Sequence, residues 1–544
     1  MADTSTARQT TPSDKRPRAT RAPIACEYCH QRKTRCDLTY GVPCTNCRLD
    51  RIDCIKRAPR KPGSYRGGAR SRNKNYEDPV HFALGLIPSN ETLSNSNAQK
   101  DSAGPSVLNN ISTANMNRLP FIFYTFLDAS SIRRLQENEV AFLESQGCLH
   151  LPSRPVVETL LSHYFLYVHP CLPLVDEGGI WRMYREPDQH KGQLSLLLFQ
   201  AMLFSAVPFI PEYVAKECGF ASLVTARDDF YRKANLLYSH IPGNDHVVVA
   251  QTAVLLSYYN SNADAMCNST WLSVAIVHAK AENAHQYDDL VLLTEKNRVM
   301  LKRLWWCCIL RDRIISLGMR RPLQIRDDQF MITGACIWLS DLQDEVNSSE
   351  VYPAEMKLAL SWVLIQLCHF AGAVTESLSI MYPASTEPAW IGDHKKEAHW
   401  ESLQRARSSL SAWEVDFVPV MGHAAPQGQP SIILFVKLTL VYYQAARIAL
   451  CNHACELAAQ FEWPQTKSSL NYYKSELQDA VNTMTDQLKQ LIAANLAKYL
   501  PVSTYDSASI ALSDSFPILH ESSRPLCVGV LMIVLLGWHI PCSR

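Results

Sequence analysis

The sequence predicts an all-α protein in three parts: a very small cysteine-rich module, a linker without structure of its own, and a large helical body. Three observations predict it. Six of the 18 cysteines of this 544-residue chain, Cys26, Cys29, Cys36, Cys44, Cys47 and Cys54, fall within 29 residues. From about residue 116 to 520 apolar residues recur at helical spacing over long stretches, and no alternating runs bounded by Asn-Gly or Asp-Gly interrupt them, so strands are not favoured. Finally, the formal net charge of +1 hides a split: residues 1–75 hold 18 Lys and Arg against 6 Asp and Glu, and the remainder holds 35 against 46. A basic head on an acidic body points to a polyanion-binding module joined to something else. With 47% hydrophobic and 19% charged residues, global disorder is excluded.

In order along the chain, residues 1–25 are basic and rich in Ser, Thr and Pro, with no period, and are expected to be disordered. Residues 26–57 form the cysteine module. From 58 to 115 the chain reads as a linker, first basic, with Pro59, Pro62, Gly63, Gly67 and Gly68, then rich in Asn and Ser; neither half offers an apolar face to bury. The body, 116–520, starts with the pattern Val156, Leu160, Leu161, Tyr164, Phe165, Val168. Further helices are expected at 192–207, 224–240, 246–260, 268–285, 295–317, 352–380, 396–415, 429–462 and 468–498. The tail, 521–544, contains the apolar run Leu526 to Leu536, which falls short of the ~20 residues a bilayer span needs, so no membrane partner is expected.

Cysteine usage sets the chemistry of the small module. Residues 1–22 are polar and contain no apolar secretory segment, which points to a reducing compartment where clustered thiols bind metal rather than form disulfides. The other twelve cysteines read as small buried hydrophobes; Cys451 and Cys455 flank His453 but lack a fourth ligand. In the cluster the spacing is C-x2-C-x6-C-x7-C-x2-C-x6-C. Zinc takes four ligands in a tetrahedron, so one ion would strand two of the six thiolates. Two ions need eight bonds, which six thiolates supply only if two of them bridge both metals. The sequence thus implies a binuclear cluster with two Zn²⁺ per chain, whose net −2 charge neighbouring Lys and Arg offset. A module this short cannot build a core, and structural zinc contributes on the order of 10–16 kcal/mol in small finger peptides, so the metal-free module is expected to be unfolded.

Each half of the cluster, Cys-x2-Cys-x6-Cys, pairs a metal-binding turn with a short helix. The first helix, His30-Gln31-Arg32-Lys33-Thr34-Arg35, is strongly basic. The whole resembles the fungal binuclear zinc-cluster DNA-binding domain. The resemblance implies that Cys26 and Cys44 bridge the two metals, that Cys29 and Cys36 complete one site, and that Cys47 and Cys54 complete the other. It also implies that the first helix enters the major groove of double-stranded DNA over a CGG-type triplet. Arg32 and Lys33 would then read bases, with His30 and Arg35 near phosphates. The chemistry agrees, because a long cation reaches the N7 and O6 acceptors of guanine. Lys56 and Arg57, with their basic neighbours, suit phosphates and nuclear import. Pro and Gly break the stretch after the cluster and no heptads survive there. That leaves binding as a monomer or as a homodimer formed through the helical body.

The body, over ~150–335, resembles the fungal-specific transcription factor domain, or middle homology region. The resemblance rests on Leu160 to Phe165, Val168 to Leu174, Val254 to Tyr259, Leu301 to Trp306, Arg311-Asp312-Arg313 and Arg321 to Ile325. Within that family it is similar to the cutinase transcription factor 1 beta branch. Arg320 stands where the family usually has Gly. Leu301, Leu304, Trp305, Cys308 and Ile315 line one helical face, and Asp312 on that face needs a cationic partner, for which Arg321 is the candidate. His163, His169, His278 and His285 read as ordinary. No G-x-S-x-G, P-loop, dinucleotide fingerprint or H-E-x-x-H occurs, so no enzyme activity is expected. The combined reading is a nuclear, sequence-specific regulator of RNA polymerase II transcription, an activator working with transcriptional coregulators. Its targets are expected in a secondary-metabolite gene cluster, or else among lipid- and cutin-utilisation genes. The rival from another class is a zinc-stabilised interaction module without DNA specificity.

Overall fold

The computed structural model describes Cys26, Cys29, Cys47, Cys54 and residues 118–187, 193–241, 243, 245–260, 264–326, 336–384, 393–424, 428–460, 464–505 and 507–508. The chain divides into two compact units, Met1–Tyr76 and Glu77–Arg544. The expectations for 1–25, 58–115 and 521–544 lie outside the described residues.

The body is built of helices, as its periodicity predicts. In order, α1 is Glu137–Ser145, α2 Arg154–His163, α3 Glu177–Arg185, α4 Leu196–Ala206, α5 Leu223–His240, α6 His246–Leu256 and α7 Cys267–Ala281. They are followed by α8 Glu295–Met319, α9 Gln343–Ser348, α10 Ala354–Met381, α11 Asp393–Ala424, α12 Pro430–Gln460 and α13 Pro464–Ala493. Starts are set by local chemistry. Asp176 accepts from the Gly179 amide at 3.0 Å at the head of α3, and Asp245 accepts from the Val247 amide at 2.8 Å at the head of α6. Ser222 and Thr225 cap each other's backbone at α5. Each such cap satisfies an amide that the helix leaves without a partner.

Among the described residues four short strands also form, where strands were not favoured. β1 (Arg118–Pro120) pairs antiparallel with β3 (His150–Pro152), and β2 (Leu127–Asp128) pairs parallel with β4 (Leu194–Ser195). At two or three residues each they are too short to carry an alternating pattern. They tie the entry segment to the ends of α1 and the start of α4.

The core runs through the whole body. All of α4 is buried, and α8 is buried at every residue from Leu301 to Gly318. The sequence reading of one apolar face on α8 is therefore too narrow: helices cover this element on all sides, Trp305 and Trp306 included. Helices α10 and α12 are long and apolar enough to cross a membrane, but about 70% of each apolar window is buried inside the body, as in a core helix. Cys148, Cys218, Cys267, Cys307, Cys308, Cys368, Cys451 and Cys455 are buried, and Cys171 half-buried, in line with their reading as hydrophobes; Cys336 is buried as well, but hydrogen bonding with Cys368 and His369 lowers its thiol pKa to about 6.

A helix buried all round must also bury its charges, and α8 pairs most of them. Lys302 meets Asp341 at 2.7 Å and Arg303 meets Glu345 at 2.6 Å. Asp312 takes Arg313, its sequence neighbour, at 2.6 Å, together with the backbone amides of Gln324 and Ile325. The candidate partner Arg321 instead binds Asn268 Oδ1, Ser269 Oγ and the Ala265 carbonyl. Asp312 thus pins the segment after α8 through its backbone, a geometry that only the fold of that segment creates. Arg320 ends α8 in the left-handed conformation, φ 52° and ψ 48°, which is why glycine suits that position.

Candidate metal centre

Three of the four described cysteines of the small module converge. Cys26 Sγ and Cys47 Sγ lie 3.6 Å apart across 21 residues of sequence. The sulfurs of Cys26, Cys47 and Cys54 all fall within 4.8 Å of one another, and Cys26 and Cys47 are buried. A disulfide would hold two sulfurs at about 2.04 Å. Two thiolates on one tetrahedral zinc, with bonds of ~2.3 Å, stand about 3.8 Å apart. The observed spacing therefore suits a shared metal and not a covalent bridge. The Cys29 amide donates to Cys26 Sγ at 3.4 Å, which closes the C-x2-C turn and stabilises negative charge on that sulfur. Cys26 thus lies beside Cys47 and Cys54, from the other half of the module, as well as beside the Cys29 amide. Cys36, Cys44, His30, Arg32, Lys33, Arg35, Lys56 and Arg57 lie outside the described residues.

The body holds a second convergence of ligand-type side chains that the sequence reading did not pick out. After α2 the chain makes one π turn, Tyr164–Val168, in which the His169 amide donates to the Tyr164 carbonyl at 3.0 Å. The extra residue per turn shifts the phase of the helix, and His169 lies buried with its Nε2 2.7 Å from Glu345 Oε2. The His169, Glu177 and Glu345 ligand atoms lie within 4.8 Å of one another. Two cations already sit among them. Arg303 reaches Glu345 at 2.6 Å, and Lys357 reaches Glu177 at 2.6 Å and Glu345 at 3.5 Å. Two carboxylates and two cations balance with His169 neutral, so this is an internal ionic clasp. Arg303 also donates to the Pro173 and Val175 carbonyls, both at 2.8 Å. Close packing of α3 on α9 accompanies the clasp: a Cβ on Gly178 would meet Ser348 Oγ at 2.6 Å, so a larger residue there would make Ser348 shift.

Electrostatics follow from burial. Burial alone would raise the Glu345 pKa, but Arg303, His169 and Lys357 outweigh it and hold the carboxylate well below its ordinary range. Burial lowers the His169 pKa despite the attraction of Glu345. The sequence signals were present but weak: a His before Pro170, and arginines spaced along an otherwise apolar helix.

Comparison with known proteins fits both units. Residues 24–63 match the model of the fungal Zn(2)-Cys(6) binuclear cluster domain, a zinc-binding family that typically takes two ions, and residues 161–409 match that of the fungal specific transcription factor domain. Cutinase transcription factor 1 beta of Fusarium vanettenii is 26% identical over 62% of this chain and 46% of its own length. Transcription factor cpaR of Aspergillus oryzae is 24% identical over 59% of this chain and 55% of its own. The fusaric acid cluster transcription factor FUB12 of Gibberella moniliformis is 23% identical over 33% of this chain and 26% of its own. The chain spans about half the length of the first two. No solved structure matches it.

Proposed function

Because the chain carries a fungal Zn(2)-Cys(6) binuclear cluster domain followed by a fungal specific transcription factor domain, we propose that it is a nuclear, sequence-specific regulator of RNA polymerase II transcription. The observation that carries this reading is the six-cysteine spacing, with the sulfurs of Cys26, Cys47 and Cys54 drawn within bonding range of one ion. Cys26, Cys29, Cys36, Cys44, Cys47 and Cys54 hold two Zn²⁺. The ions supply the fold of a module too small to fold without them. Arg32 and Lys33 read bases of a CGG-type site, His30 and Arg35 lie near the backbone, and Lys56 and Arg57 bind phosphates. The helical body tunes output through coregulators.

The chain acts as an activator of a secondary-metabolite gene cluster; its similarity to a protein named for the fusaric acid cluster supports that. Control of lipid- and cutin-utilisation genes is the second reading, favoured by the longer stretch shared with the cutinase factor.

The test is a gel shift of the full chain on CGG-containing and scrambled duplexes, with and without a zinc chelator, alongside elemental analysis. Two zincs per chain and a chelator-sensitive preference for the CGG duplex are expected. Far fewer zincs, or equal binding to both duplexes, would overturn the reading; two zincs without duplex preference would instead identify an interaction module. Transcript profiles after deletion, and a reporter assay for sign, separate the pathway readings.

A further inference from the structure

Two thiols of the body meet at its boundary with water. Cys336 lies outside any helix, shortly before the turn Leu339–Leu342, and its sulfur is hydrogen-bonded to both Cys368 and His369, consecutive residues of α10. Side chains of consecutive helical residues point about 100° apart, so one sulfur reaches both only from a place between them, on the flank of the helix. The arrangement is layered: Cys368 is fully buried, Cys336 is 8% exposed and His369 is exposed. The two cysteines are not joined in a disulfide.

These contacts give the two thiols unlike roles. The Cys368 thiol donates to Cys336 and does most to favour a thiolate there; burial opposes it, and the His369 ring and the charge of Lys302 on α8 assist. The Cys336 pKa falls to about 6. His369 is raised by the same hydrogen bond, against burial, with Asp416 on α11 adding to the rise. Cys368 is raised well above the ordinary thiol range by burial and by the thiolate beside it, with Cys307 on α8 a smaller contributor. At neutral pH the site is thus a thiolate against an imidazolium, with a protonated thiol behind it. A cysteine buried for packing alone is pushed the other way, as Cys308 is. The trio is not among the described groups whose ligand atoms close to within 4.8 Å of one another, which separates it from a metal cage. A low-pKa sulfur open to water beside a second thiol is the make-up of an oxidant-sensing pair.

We propose that Cys336 and Cys368 form a reversible dithiol switch oxidised by hydroperoxides, with Cys336 the attacking sulfur and Cys368 the resolving one. The Cys336 thiolate attacks the peroxide: the S–O bond forms as the O–O bond breaks, and the leaving oxygen takes a proton from His369 and departs as water or an alcohol. The Cys368 sulfur then attacks Cys336: the S–S bond forms, the S–O bond breaks, and the hydroxide leaves with the Cys368 proton as water. The two thiols lose two electrons and the peroxide gains them. The disulfide fastens to α10 the stretch that runs on to Asp341 and Glu345, the partners of Lys302 and Arg303. None of this depends on DNA binding.

The full chain, reduced and then freed of reductant, is treated with hydrogen peroxide at pH 7, alkylated, digested without reduction and mapped by mass spectrometry. A peptide pair linked through Cys336 and Cys368 is expected, released again by dithiothreitol, while Cys148 and Cys308 stay reduced. Mapping assigns each bond, so oxidation among the six N-terminal cysteines does not obscure the result. His369→Gln, at an exposed position, should slow formation of the linked pair roughly threefold or more at pH 7 and move the midpoint of rate against pH upward from about 6. Cys368→Ser should leave a sulfenic acid on Cys336 that dimedone traps; the linked pair of the unmodified chain keeps the test decisive if that variant fails to fold. Absence of the linked pair in the unmodified chain, oxidation of Cys336 no faster than of Cys308, or an unchanged pH midpoint in His369→Gln would each overturn the proposal.

Discussion

Replacing Glu345 with Gln tests whether the ionic clasp holds the body together. The carboxylate lies 2.6 Å from Arg303, 2.7 Å from His169 and 3.5 Å from Lys357, and is 4% exposed. At an effective dielectric of about 20, a unit charge pair attracts by roughly 6 kcal/mol at the first distance and roughly 5 at the last. Against this gross ~11 kcal/mol stand repulsion from the Glu177 carboxylate, at least about 3 kcal/mol at the separation the cluster allows, and several kcal/mol of desolvation. Removing the charge leaves Arg303 and Lys357 facing Glu177 alone. The net cost should be about 3–5 kcal/mol, the usual result of stranding a buried charge, set against a total stability of about 5–15 kcal/mol. Urea denaturation followed by far-ultraviolet circular dichroism should show the midpoint falling with an unchanged slope. A loss below about 1 kcal/mol would mean that water or rearrangement compensates the cations, and the reasoning from burial would be wrong.

The same clasp makes stability fall in acid. His169 titrates below its ordinary 6.5 when folded, so its contribution is complete above pH 6.5 and is lost as pH falls toward the folded value; Glu345, depressed from 4.5, adds a second loss at lower pH. Melting temperature against pH should decline below about 6.5 and less so in His169→Gln; a flat profile down to pH 4 would contradict this. Arg320→Gly relieves a left-handed residue and should stabilise by about 0.5–1 kcal/mol, read as a raised urea midpoint; destabilisation would show that the Arg320 side chain matters more than its backbone. Lys33→Ala should cost about 1–3 kcal/mol in DNA affinity and relax specificity at one base pair; uniform weakening across sequences would make Lys33 a phosphate contact. Stripping zinc should abolish DNA binding yet leave the helical signal of the body nearly unchanged, since the body has a core of its own; collapse of the helical signal would refute that independence.

Most element positions were legible before the structure. The pattern at 224–240 became Leu223–His240, that at 295–317 became Glu295–Met319, and that at 429–462 became Pro430–Gln460. The pattern at 246–260 overran, because Tyr258 and Tyr259 continue the apolar period while the helix stops at Leu256. The Ser257 carbonyl there accepts from Arg311, 54 residues away, and no local pattern encodes that.

By itself the sequence determined the metal arithmetic of six cysteines and the helical texture of the body, because both depend on spacing within a few residues. Only the tertiary structure decided that α8 is buried on every side, that His169 meets Glu345 across 176 residues, that Asp312 chooses Arg313 over Arg321, and that Cys336 meets Cys368 and His369. The physical reason is that a charge finds its partner through packing between distant segments. Periodicity records which face of a helix is apolar, and not what the rest of the chain brings against it.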